Sequence, residues 1–319
     1  MLVNELKKEI EKYDKKDLVK IIVELYKRIP KYKKEEYSID DFIKNVTEGK
    51  KKTVKKELSF DELLNEISYF LTCVDNEYYV VPNNVVSKKE RSGWRFKVKK
   101  YYKELNKILP DQPNGNKATF FLIEIFKRLS IGSNVLLFIN WETFKALGVS
   151  QGEYYDVLVK RILDKGYTTS DLKECIDLLQ IAKDPYELSY DMYNVFVDNL
   201  KQSSEIEMAI TLLKEKIDEF KHIETKNNMK QYEIEKNIND NVICILELYS
   251  LLGEIDQGIK YFHTNYICKF KEIKEYVLLE ELKRMDFIDV WIKEYESKMD
   301  KINFRDSLKE DYAKFKKIL

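Results

Sequence analysis

At 319 residues the chain exceeds the size at which one compact core is usual, so two or three domains or one elongated stack of helices are expected. Nine glycines and five prolines exclude a β-rich fold of this length, which would need a turn about every 8 to 12 residues. Hydrophobic residues at 44% suffice for a core, and 35% charged residues with zero net charge describe a heavily charged exterior rather than a disordered chain.

The charge is uneven along the chain. Residues 1–110 carry 26 Lys/Arg against 19 Asp/Glu, and residues 111–319 carry 30 against 37, so the two parts are +7 and −7. A basic region beside an acidic body hints at a charged partner. The four cysteines, Cys73, Cys175, Cys244 and Cys268, lie far apart without a CxxC pair, which suits free thiols in a reducing cytoplasm. Leu6 is flanked by Glu5, Lys7 and Lys8, so no secretory leader is expected after Met1. The longest apolar run, Val135 to Ile139, falls far short of the ~20 residues of a membrane span, and no membrane partner is expected.

In chain order, Leu6, Ile10 and Tyr13 and then Leu18, Ile21, Ile22 and Leu25 form a helical stripe interrupted near Asp14, which caps the second helix; Pro30 ends the pair. Ser38 with Asp41 opens a third helix, closed by Gly49. Residues 1–49 thus read as an N-terminal helical module and the lysine-rich residues 50–58 as a basic linker. Ser59 with Glu62 opens the next helix. Val74 to Glu77 is a turn signal between Tyr69–Cys73 and the β-branched, aromatic Tyr78–Val81, which predicts one small β-hairpin near 69–81. Ser87 with Glu90 caps a long basic helix reaching about Leu109, completing a region 59–110, and Pro110 to Asn116 marks a domain boundary.

Residues 117–319 read as a helical-hairpin array. Helices are expected over Ala118–Leu129 and Val135–Leu147, after the boxes at Ser150/Glu153 and Thr168/Asp171, after Asp184-Pro185-Tyr186-Glu187, from Ser204/Glu207, and from Met229 onward. The fold class is therefore all-α: stacked antiparallel helical hairpins, with an α-solenoid-like C-terminal region. Between Val242 and Phe262 the order of Leu246, Tyr249, Gly253, Gly258 and Phe262 resembles a tetratricopeptide unit, with a fainter echo over Tyr193–Leu213. That resemblance implies a groove for peptides or proteins and implies no catalysis.

The segment 88–107 is the most distinctive. It holds Lys88, Lys89, Arg91, Arg95, Lys97, Lys99, Lys100, Lys103 and Lys107 against Glu90 and Glu104. Trp94, Val98, Tyr101, Leu105 and Ile108 share one helical stripe that should face the protein, and Phe96 lies opposite it among the cations. Cations with one aromatic suit phosphates and an unpaired base, or an acidic protein. A solvated basic face with Phe96 packed on a second element is the plainer alternative.

Catalytic signatures are scarce: two histidines, His222 and His263, leave little material for a triad or a multi-histidine metal centre. Glu219 and His222 spell ExxH, but no second copy follows, and spacings such as Asp256 with Glu272 and Lys274, or Asp286 with Asp289, carry little weight among 56 acids. Cys175, Cys244 and Cys268 read as small core residues. No cofactor and no catalytic or metal-ligating residue is assigned. The expected function is a non-enzymatic interaction protein whose array binds a peptide or protein. The alternative is a regulator that binds DNA or RNA through helix 88–107 and uses the array for sensing or homo-oligomerisation, in outline similar to bacterial regulators with a tetratricopeptide body.

Overall fold

A computed structural model describes residues 3–36, 39–44, 59–164, 166–181, 185 and 190–317. The expected linker 50–58, the cap at Ser38, and Asp184, Tyr186 and Glu187 of the expected helix start lie outside the described residues. The described residues are helices and turns without a strand, so the fold is all-α. Proximity along the backbone separates two compact units, Met1–Ser59 and Phe60–Leu319.

The first unit contains α1 (Val3–Ile10), α2 (Lys15–Arg28), α3 (Lys31–Glu36) and α4 (Ile39–Lys44). Asp14 caps α2 as its sequence suggests, its carboxylate accepting from the Asp17 N–H at 2.8 Å. Pro30 pushes the preceding Ile29 into an extended conformation, and α2 stops there. The Tyr26 hydroxyl donates to Asp40 at 2.5 Å and ties α2 to α4, yet α2 itself buries no residue.

The second unit opens with α5 (Phe60–Asp75), α6 (Lys88–Ser92), α7 (Trp94–Asn106), α8 (Gly115–Gly132) and α9 (Thr143–Leu147). It continues through α10 (Gln151–Ile162), α11 (Thr169–Leu179), α12 (Tyr190–Asn199), α13 (Ser203–Lys221) and α14 (Asn228–Leu251). It ends with α15 (Ile255–Asn265), α16 (Lys271–Arg284), α17 (Ile288–Glu296) and α18 (Asp306–Phe315). The bend at 110–116 lies inside this unit, with α7 and α5 both packed on α8.

Three sequence expectations change here. The β-hairpin at 69–81 is absent, because α5 runs through Tyr69–Cys73 and ends in a left-handed cap. Glu77 has φ 60°, its N–H donates to Val74 O, and the Tyr78 N–H donates to Cys73 O, both at 2.9 Å. The same Asp-Asn-Glu signal that suggests a β-turn thus closes a helix. The long basic helix is broken at Gly93 into α6 and α7. The helix expected from Val135 begins only at Thr143, so residues 133–142 form a loop.

Beyond α9 the helices pack as neighbours and next-neighbours. α10 lies against α8 and α12, α11 against α13, α14 between α13 and α15, and α17 between α16 and α18. The capping boxes at Ser150/Glu153 and Thr168/Asp171 are present as expected. α13 starts slightly earlier than Ser204/Glu207 suggests, with Glu205 accepting from the Gln202 N–H at 3.0 Å. A buried amide network joins three elements: Gln180 and Tyr193 both donate to Asn241 Oδ1, at 3.0 and 2.9 Å. Cys175 and Cys244 are core residues, but Cys268 sits half-buried in the loop before α16.

The α14–α15 hairpin shows why its glycines stand where they do. Gly253 has φ 73°, which an L side chain adopts only with strain, and closes α14 while Glu254 N–H reaches back to Tyr249 O at 2.9 Å. Gly258 lets α15 approach α14 closely; a Cβ there would lie 3.0 Å from Leu246 Cδ1 and 3.1 Å from Tyr249 Cβ. Leu246 and Phe262 are fully buried beside it.

Candidate interaction surface

Four rings at the N-terminal end of α7 form the anchor of the site. Trp94 stacks on Phe138 with centroids 4.2 Å apart, and Phe70 and Tyr79 close the cluster around them at 5.0 to 6.4 Å. All four are essentially buried. They come from α7, α5, the segment after the α5 cap, and the loop 133–142. Phe138 is therefore a peg that holds its loop against the helices. Gly132 permits this, since a Cβ there would meet the Phe138 ring at 3.0 Å. The loop ends are tied as well: the Thr143 hydroxyl donates to Leu129 O at 2.9 Å, and the Ser133 hydroxyl donates to Ser130 O at 2.8 Å.

With Phe138 turned inward, the rest of the apolar run turns outward. Val135, Leu136, Ile139 and Trp141 are between 42% and 54% exposed. On the segment whose Tyr79 joins the same cluster, Val81 and Val85 are exposed too. Scattered surface apolar residues need no explanation, but four within seven residues of a pinned loop on so charged a protein form a patch.

The candidate basic residues divide into three groups. Arg91 is buried, and its guanidinium donates to Val86 O at 2.6 Å, so it serves the turn before α6 rather than an open face. Lys100 is committed to Glu66 at 2.8 Å; burial pushes the Glu66 carboxyl up, but hydrogen bonds from Lys100 and Tyr101 outweigh it and hold the group below its usual range. Lys97 pairs with Glu90 and Lys107 with Glu104. Lys88, Lys89, Arg95, Lys99 and Lys103 are exposed and form no ion pair among the described residues. Phe96 is 63% exposed, with the Arg95 guanidinium 4.8 Å from its ring centre. Among the described residues it lies outside the hydrophobic core and the side chains packed against it. Lys99 reaches toward α9, where a Cβ on Gly148 would lie 3.8 Å from its Nζ.

The one described group with metal-like spacing lies far along the chain. His263, Glu275 and Glu294 bring donor atoms within 4.8 Å of one another. The Lys298 ammonium sits at their convergence, 2.5 Å from Glu275, 2.9 Å from Glu294 and 2.9 Å from His263 Nε2. A tethered cation thus offsets part of the charge of the two carboxylates, and the cluster pins α15, α16 and α17 together. Glu219 and His222 do not act together: Glu219 pairs with Lys216, and His222 Nδ1 contacts Asp218 O at 2.6 Å.

Sequence reasoning found the aromatic exception at Phe96 but missed Val135, Leu136, Ile139 and Trp141. The signal was present in their bracketing by Ser133-Asn134 and Asn140, turn-forming residues that leave too short a run for a helix. No family model, no curated protein and no solved structure matches the chain.

Proposed function

We propose that the protein is a non-enzymatic interaction protein of the cytoplasm that docks a protein or peptide partner. The observation that carries the reading is the apolar loop 133–142, held outward by Phe138 in the buried ring cluster while its flanking side chains stay half exposed. Leaving several large apolar groups in water is unfavourable by roughly 25 cal/mol per Å² that a partner would cover, and rigid anchoring keeps the ordering cost of binding low. The close α14–α15 packing at Gly258 supports a helical-repeat array in the C-terminal part, of the tetratricopeptide-like kind that its sequence resembles. The thiols of Cys73, Cys175 and Cys268 suit a reducing compartment.

A photo-crosslinking residue placed at Ile139 in cells expressing the protein tests the reading. A discrete adduct that protease destroys and nuclease spares is expected. A nuclease-sensitive adduct, or none, contradicts it.

A second reading, binding of DNA or RNA on α7, is favoured by Phe96 standing exposed between Lys99, Lys103 and Arg95. It predicts binding at low salt that falls steeply with ionic strength and is lost on charge reversal of Lys99 and Lys103.

A further inference from the structure

We infer that the partner segment is acidic and apolar at once: an amphipathic stretch of protein that lays aliphatic or aromatic side chains on Leu136, Ile139 and Trp141 and sets a carboxylate against Lys99. The inference rests on the reading that a protein docks on this surface, and it names the partner's chemistry.

Two independent features lead to it. The first is the apolar part, which is mostly aliphatic: Val135, Leu136 and Ile139 on one segment, Val81 and Val85 on the other, both pinned to the same four rings. Aliphatic groups offer nothing to a phosphate and no face on which a base stacks, so a nucleic acid would leave most of this patch uncovered. A segment bearing its own apolar side chains covers it.

The second is the state of the charges beside it. Two of the described acids on these segments are engaged: Glu142 pairs with Lys145 at 2.8 Å, and Glu90 closes the Ser87 capping box and pairs with Lys97, while Glu77 stands exposed at the start of the second segment. The cations are not: Lys88 and Lys89 on α6, Arg95 and Lys99 on α7 lack ion pairs among the described residues. Lys99 links the two features: it lies on the flank of α7 that meets α9, the helix into which the loop runs, and α7 also carries Trp94, on which Phe138 stacks; Arg95 lies over the Phe96 ring on another side of α7. An incoming chain that satisfies both features carries net negative charge next to its apolar side chains.

The test selects displayed random peptides of about 16 residues on the immobilised full chain at physiological salt, then measures the best synthetic peptides by fluorescence anisotropy. Selected peptides are expected to be strongly acidic with apolar residues at helical spacing. Ile139→Asp and Trp141→Ala should each weaken them roughly tenfold, and Lys99→Glu roughly three- to tenfold with reduced salt dependence, while the circular dichroism of each variant matches the parent. Neutral or basic selected peptides overturn the inference. Acidic peptides that ignore Ile139→Asp and Lys99→Glu also overturn it, yet leave the broader reading of a protein-binding molecule standing; failure to select any peptide sinks both. Anionic lipid vesicles or a single-stranded oligonucleotide bound through the same residues, and lost in the same variants, replace the protein segment with another occupant and contradict it.

Discussion

Single residues in this molecule are legible to different degrees, and the difference is physical. Gly253 and Gly258 stand where a left-handed closure and a close helix approach demand them, so a local pattern of small residues was enough to locate the hairpin. Gly258→Val should destabilise by about 1–3 kcal/mol in chemical denaturation, since its branched side chain would have to displace Leu246 and Tyr249. Glu77 is the opposite case: it occupies a left-handed cap that glycine would hold without strain. Glu77→Gly is expected to raise stability by about 0.5–1 kcal/mol, read as a higher denaturation midpoint at unchanged slope. Arg91 illustrates why a wheel diagram overreaches, because a guanidinium bonded to Val86 O is invisible in a count of positive residues.

At the scale of elements, reciprocal caps made helix starts readable: Ser87/Glu90, Ser150/Glu153 and Thr168/Asp171 all close as their spacing suggests. The loop 133–142 escaped, since a run of apolar residues satisfies a helical pattern equally well, and only the contact of Phe138 with rings over 40 residues earlier decides its path. The ionic pin joining α15, α16 and α17 was equally hidden, its members lying up to 35 residues apart. Its consequence is a pH dependence. The hydrogen bond with His263, opposed by burial and reinforced by Lys298, holds Glu294 down to about 2. A depressed carboxylate contributes stability that is present above its unfolded value and lost as pH falls toward its folded value. Glu294→Gln should therefore cost about 1–3 kcal/mol at neutral pH, with the gap to the parent closing between about pH 4.5 and 2 in thermal melts. A gap that persists unchanged at pH 2 would mean the pin's charge is not what stabilises these helices.

For the whole molecule, scarce turn residues and strong helical periodicity fixed the fold class in advance, whereas the surface that matters depends on which of many lysines and apolar groups remain without partners once the chain is folded. The +7 balance of residues 1–110 drew attention to the basic helix; folded, that helix is divided at Gly93, part of its charge is spent on Glu66, Glu90 and Glu104, and an apolar loop with Val135, Leu136, Ile139 and Trp141 exposed packs its Phe138 on Trp94 of the same helix. A partner recognised there should bind with both apolar and electrostatic character, so raising salt weakens it without abolishing it. Hydrogen–deuterium exchange of the full chain with and without its bound peptide tests this most directly. Protection concentrated in residues 76–86 and 133–142 is the expected result, and protection confined to other helices, with these two segments exchanging as before, would contradict it.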